Sequence, residues 1–246
     1  MARRYGRFAF FLPFFVMFLL SLPCRAGEDD ALVLRQWQAG ATVSAEAVEA
    51  YGLDSCFVAV PIPDAVWERM QGKTYKPNPH IGRSGLRYVR ALHWDLDQQI
   101  HVGEMVCNEK IAERLVTIFR TLFDNHYPIE RMVLPDNYDA DDERQMQANN
   151  SSCFCYRNVS GSQSLSKHAM GMAVDINTLY NPYIRHRKDG TMMVEPSTAM
   201  PYVDRTASFP YKIDTQDLAY RLFVEQGFIW GGSWQTVKDY QHFEIR

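Results

Sequence analysis

From Leu86 the chain alternates between apolar and polar positions. Leu86, Tyr88, Leu92 and Trp94 fall on one face, with Arg90 among them, while Arg87, His93 and Asp95 fall on the other. Period two predicts a β-strand. A polar turn at Asp97-Gln98 leads to a second run around Ile100–Cys107, and the pair reads as a hairpin. The period then changes. Ile111, Leu115, Ile118, Leu122 and Phe123 recur at three- and four-residue spacing, which predicts an amphipathic helix over Glu109–Asn125. Helical spacing returns in Leu218, Leu222 and Phe223, predicting a helix over Thr215–Gln226 stopped by Gly227.

Shorter elements fill the remainder. The segment 27–55 reads as a lead-in with short helices, one of them capped by Ser44 and ending at Gly52. Phe57–Val60 reads as a short strand. Asp64 reads as the cap of a small helix carrying Trp67 and Met70. Lys73–Arg83 is a polar loop rich in Pro and Gly. Met132–Leu134, Gly171–Ile176, Phe228–Trp230 and His242–Ile245 read as strands. Two long polar segments, Pro135–Gly161 and the stretch from Asn181-Pro182 to Tyr211, read as loops, and long loops in compact domains tend to carry function. The sum is an α+β fold with a mainly antiparallel sheet and flanking helices.

Composition sharpens this in two ways. Arg3, Arg4 and Arg7 precede an apolar run from Phe8 to Leu22, followed by Pro23, Cys24, Arg25 and Ala26. A basic start, an apolar middle and a small residue at the cut predict a signal peptide over residues 1–26. The run is short of the roughly 20 apolar residues of a spanning helix, so no stable membrane anchor is expected after cleavage. What remains, residues 27–246, reads as a single domain with an N-terminal extension over about 27–103. It carries 22 basic against 29 acidic residues, a net of −7, with no basic stripe. Nucleic acid is thereby an unexpected partner, and an exported location in the periplasm or cell envelope is the expectation. Export permits disulfides among Cys56, Cys107, Cys153 and Cys155. Cys153-Phe-Cys155 is too tightly spaced for a structural zinc pair, so buried or disulfide-bonded cysteines are expected.

The chemistry gathers in two stretches, Ser166-Lys-His-Ala-Met-Gly-Met-Ala-Val-Asp175 and Asp239-Tyr-Gln-His-Phe-Glu244. Together they supply two imidazoles, His168 and His242, and three carboxylates, Asp175, Asp239 and Glu244, near the bends of short strands. Hydrolytic zinc takes three protein ligands and leaves one position to water, and needs a further carboxylate as base. His168, Asp175 and His242 fit the ligand roles for one Zn2+, and Asp239 fits the base. Glu244, two places past His242 on the same strand face, is a supporting group. The other histidines, His80, His93, His101, His126 and His186, read as surface or hydrogen-bonded residues. Asp141, Asp142 and Glu143 read as a solvated acidic run or a helix cap.

Three ordered motifs, Ser-x-His-x-x-Gly-x-Ala-x-Asp at 166–175, Trp-Gly-Gly-x-Trp at 230–234 and Asp-x-x-His-Phe at 239–243, make the chain similar to the VanY-type zinc D-alanyl-D-alanine carboxypeptidases. The superfamily includes L-alanyl-D-glutamate endopeptidases and D-Ala-D-Ala dipeptidases. The resemblance covers about Glu104–Arg246, including Asn149–Arg157. It implies the hedgehog/DD-peptidase type of zinc fold, zinc on His168, Asp175 and His242, and an acidic base at Asp239 where relatives often have Glu. It implies that Arg157 polarises the scissile carbonyl or holds a substrate carboxylate. Ser166 contacts substrate or fixes the loop, and Trp230, Trp234 and Tyr240 pack beneath the site. The implied function is hydrolysis of peptide bonds in peptidoglycan stem peptides, as a D,D-carboxypeptidase or L-Ala-D-Glu endopeptidase. The alternatives are a non-catalytic zinc-containing cell-wall binding protein and a D-Ala-D-Ala dipeptidase.

Overall fold

The structure is a computed structural model that describes residues 26–245. Of the leader expected over 1–26, only Ala26 lies within the described residues, where it opens helix α1 (Ala26–Gln36). None of the described helices is long and apolar enough to cross a membrane. The architecture is α+β, and every pair of named strands is antiparallel.

The first sheet holds β1 (Thr42–Val43), β2 (Val58–Val60), β3 (Leu86–Trp94) and β4 (Ile100–Asn108) in the order β1-β4-β3-β2. The expected hairpin is present, in register from Leu86 opposite Asn108 to Trp94 opposite Ile100. The alternation in β3 understated its burial, since Val89, Ala91 and His93 are buried as well as Leu86, Tyr88 and Leu92. The second face is covered by the segment around Ile129–Met132: His93 Nδ1 lies 2.6 Å from Ile129 O, and a Cβ at Gly103, opposite Ala91, would lie 2.3 Å from Met132 Cε.

Helix α2 (Ala45–Tyr51) is capped as its sequence predicts, Ser44 Oγ accepting from Ala47 N at 3.3 Å. Helix α3 (Asp64–Met70) corrects an expectation. Pro63 occupies the cap position, and Asp64, the first helical residue, pairs with Arg83 at 2.6 Å. Helix α4 (Ala112–Asp124) buries Leu115, Ile118, Phe119 and Leu122 beneath the first sheet, each such side chain stabilising by about 1.5–3 kcal/mol.

Met132–Leu134 is not a strand. Its backbone is satisfied by side chains: Val133 N donates to Asn150 Oδ1 at 3.0 Å, Asn150 Nδ2 returns a bond to Val133 O at 2.9 Å, and Leu134 N donates to Glu104 Oε1 at 3.3 Å. The polar segment after it is not all loop. It contains α5 (Asp142–Gln147), whose first turn is capped by Asp141 accepting from Arg144 N at 3.0 Å. Likewise the stretch after Asn181 folds into a hairpin, β6 (Tyr183–His186) with β7 (Met192–Glu195). The last helix, α6 (Leu218–Glu225), begins later than its pattern suggested because Asp217, not an earlier residue, caps it.

Four more strands complete two small sheets: β5 (Ala173–Asp175), β8 (Ile229–Trp230), β9 (Lys238–Asp239) and β10 (His242–Glu244), in the orders β5-β10-β8 and β7-β6-β9. One contiguous apolar cluster runs from Leu34 to Phe243, with Phe243 stacked on Phe223 of α6 at 4.3 Å between ring centroids. The segment 27–103 contributes to that same cluster. Against this packed base, β5, β9 and β10 present polar side chains to one cleft.

Candidate metal centre

Cross-strand register brings the first two ligand candidates together. In the β5–β10 pair His242 stands directly opposite Asp175, and its Nδ1 lies 3.0 Å from Asp175 Oδ1. His168 arrives from a single 3-10 turn, His168–Met170, that ends at Gly171 with φ 63°. Glycine is needed there twice over. The left-handed conformation disfavours a side chain, and a Cβ at 171 would lie 2.6 Å from Asn108 N at the end of β4. The turn returns His168 Nε2 to within 3.2 Å of His242 Nδ1 and 3.1 Å of Asp175 Oδ2.

Hydrogen bonds on the far side of each ring set which nitrogen faces the centre. His168 Nδ1–H donates to the Cys153 carbonyl at 2.7 Å, so Nε2 carries the lone pair. His242 Nε2–H donates to Glu244 Oε2 at 3.3 Å, so Nδ1 carries the lone pair. Two neutral imidazoles therefore aim lone pairs at each other across 3.2 Å, with a carboxylate beside both. Such a set repels itself unless a cation or proton sits within it. Burial opposes a charge on His242, but the bonds to Asp175 and Glu244 prevail and push its pKa up to about 10. For Asp175 burial likewise opposes the charge, and the His168 and His242 imidazoles outweigh it, holding the carboxyl well below the usual range.

The residues fit zinc. One ligand atom from each of His168, Asp175 and His242 can be chosen so that all lie within 4.8 Å of one another, and the nearest approaches use both Asp175 oxygens, Oδ1 toward His242 at 3.0 Å and Oδ2 toward His168 at 3.1 Å. The donor set is two imidazoles and one carboxylate, and each imidazole is oriented by an acceptor behind it, as metal-binding histidines usually are.

Asp239 enters from β9, which pairs with β6 so that Asp239 faces Tyr183. Its Oδ1 is buried and has no hydrogen-bond partner. Burial raises its pKa to about 7; the His242 charge pulls down and the Asp175 charge pushes up. The Gly231-Gly232 pair makes this placement possible. A Cβ at Gly231 would lie 2.6 Å from Asp239 O, and one at Gly232 would lie 2.3 Å from the Trp230 indole. Trp230 Nε1 then donates to Tyr240 O at 2.9 Å, tying down the turn between base and ligand.

These groups line a cleft of about 500 Å³. Arg157 borders it, its Nε 2.6 Å from Asp142 Oδ2, an ion pair by proximity in which the N–H does not point at the carboxylate. Burial works against the guanidinium charge, and Asp142 more than restores it. Ser166 is buried at the cleft wall, where its Oγ accepts from His168 N at 3.2 Å and its N–H donates to Arg157 O at 3.1 Å. Trp234 stands at the rim, 5.3 Å from the His242 ring. Cys56, Cys107, Cys153 and Cys155 are all buried free thiols. Cys153 serves the centre through its backbone carbonyl, which no side-chain motif could reveal. Asp142 and Glu143, in sequence an acidic run, stand on the cleft wall.

Residues 160–245 match a protein-family model described as D-alanyl-D-alanine carboxypeptidase, the family that the three motifs resemble. The match takes in His168, Asp175, Asp239 and His242. No curated protein and no solved structure gives a match.

Proposed function

We propose that this chain is an exported zinc peptidase that hydrolyses peptide bonds in the stem peptides of bacterial peptidoglycan. The carrying observation is the convergence of His168 Nε2, His242 Nδ1 and the Asp175 carboxylate within one cleft that also contains a buried, unpartnered carboxylate oxygen of Asp239. His168, Asp175 and His242 would hold the ion. Zinc, when bound, supplies Lewis acidity toward a water and toward the scissile carbonyl.

The chain's own groups supply the rest. Asp239 Oδ1 accepts a proton from the attacking water as the water oxygen bonds to the carbonyl carbon. The same oxygen returns that proton to the amine nitrogen as the C–N bond breaks. Burial raises the Asp239 carboxyl above an exposed carboxylate, which makes it the better proton acceptor. Arg157 stands at the cleft edge where a guanidinium can face an oxyanion or a terminal carboxylate. Asp142 keeps it charged and restricts where it swings. Cys153 O and Glu244 hold the two imidazoles in the tautomers that bind metal.

The test is digestion of defined substrates by the zinc-loaded protein, with products weighed by mass spectrometry. A stem pentapeptide that loses terminal D-alanine makes the chain a D,D-carboxypeptidase. A cut between L-alanine and D-glutamate makes it an endopeptidase, and cleavage of free D-Ala-D-Ala alone makes it a dipeptidase. Protein that holds one zinc per chain yet cleaves none of these overturns the enzymatic reading and leaves a binding protein.

A further inference from the structure

Gln241 sits in sequence between Tyr240 and His242 and is 3% exposed, yet it borders the cleft beside Asp239. Its backbone is held, the carbonyl accepting from Ile176 N at 3.1 Å beside β5. Its carboxamide also meets the Asp239 carboxyl, a hydrogen bond that pulls the Asp239 pKa down, and is poorly served elsewhere. Nε2 donates to Met146 Sδ at 3.6 Å, and a thioether is a weak acceptor. Oε1 is buried and has no partner. An unmet buried acceptor bears its full desolvation penalty, so such groups call for an explanation where they occur. A methionine or leucine would fill the same space against Met146 without that penalty.

Two side-chain oxygens in the cleft are thus buried and unpartnered, Asp239 Oδ1 and Gln241 Oε1. The first can take a proton. The second, a neutral amide oxygen, can only accept a hydrogen bond, and a peptide laid along the cleft offers backbone N–H groups. We propose that Gln241 is a substrate-binding residue whose Oε1 accepts a backbone N–H of the bound stem peptide, on the Met146 side of the metal centre. The proposal rests on the peptidase reading above. It makes Gln241 a specificity determinant, because a ligand without an N–H at that position leaves the oxygen unsatisfied.

The test compares wild type with Gln241→Met on a stem pentapeptide, with zinc content and thermal midpoint measured on both. The variant is expected to bind one zinc, to melt no lower than wild type, and to raise KM about tenfold, the loss of one hydrogen bond near the upper end of the neutral range. A lower melting point together with loss of zinc makes Gln241 a structural residue and overturns the proposal, as does an unchanged KM. If Gln241→Met does not fold, wild type alone decides. Peptides in which one non-scissile N–H at a time is replaced by an ester oxygen should inhibit about tenfold more weakly at one position, and equal inhibition at every position overturns the proposal. A wild type that turns over no stem peptide removes the peptidase reading and this inference together. Wild-type turnover with an unchanged KM in the variant removes Gln241 alone.

Discussion

Replacing Gly231 by alanine should damage this protein at the point where the proposed base meets a proposed metal ligand. The new Cβ would lie 2.6 Å from Asp239 O, 2.9 Å from Asp239 Cβ and 3.3 Å from His242 Cβ. Non-bonded carbons come to rest at about 3.5–4.0 Å, so Asp239 Cβ must retreat by at least about 0.6 Å. It has little room to do so. Asp239 is paired with Tyr183 on β6, and the following peptide is held by Trp230 Nε1 at 2.9 Å. Overpacking of this kind costs about 1–3 kcal/mol, which for a chain of this size lowers the melting midpoint by roughly 2–12 °C. A displacement of 1 Å at a catalytic group costs on the order of 10²-fold in rate, so a retreat of about 0.6 Å should lower kcat by about tenfold or more. The assay is a thermal melt, zinc stoichiometry and stem-peptide turnover on Gly231→Ala beside Gly82→Ala. At Gly82 an added Cβ meets nothing within 4 Å and φ is −106°, so that variant should keep the wild-type midpoint and turnover. Wild-type melting and kcat in Gly231→Ala would refute the reasoning.

Three further outcomes are expected. Asp239→Ala should retain zinc and lose turnover, whereas His168→Ala should lose both; equal metal loss in the two, by metal analysis after dialysis, rejects the division of roles. Glu244→Ala should weaken zinc binding about 10–100-fold in chelator competition, because the His242 tautomer is no longer fixed; Glu244→Gln keeps an acceptor and should recover most of the loss, and equal affinity in all three proteins counts against a positioning role. Stability should fall as pH rises from about 4 to about 6. Burial raises the Asp217 carboxyl from its ordinary 3.8 to about 6 against the pull of Tyr127 and the Ala219 and Tyr220 amides, so in that window the native state binds more protons than the unfolded chain, a contribution on the order of 3 kcal/mol that is complete below pH 4 and gone above pH 6. Asp217→Asn keeps a capping acceptor and should flatten that part of the stability profile; an unaltered profile shows that another group sets the slope.

The metal centre was legible because its residues must be particular chemical types. His168, Asp175, Asp239 and His242 are each identifiable as candidates from donor chemistry and motif spacing, whereas the register of β5 with β10, which sets His242 opposite Asp175, had to come from the fold. Long periodic elements were legible for a different reason: α4 and the β3–β4 hairpin bury enough side chains to force a pattern. The missed elements lack that force. The β6–β7 hairpin buries only Ile184 well, since one face lies over the cleft, so its residues never had to alternate. Met132–Leu134 has the composition of a strand, but Asn150 and Glu104 satisfy its backbone in place of a neighbouring strand. Asp142 looked solvated because the arginine that it meets lies on a different segment, at position 157. The Cys153 carbonyl is backbone, and no residue type announces it.

The order of strands in the small sheet has a consequence for how the protein matures. The strand latest in the described chain, β10, is the middle one, with β5 and β8 on its flanks. Until residues 242–244 insert, those two neighbours have no common partner, and His168 with Asp175 makes only two-thirds of a coordination set. If His168, Asp175 and His242 hold zinc as proposed, a chain truncated before Gln241 should lose both the middle strand of this sheet and the metal.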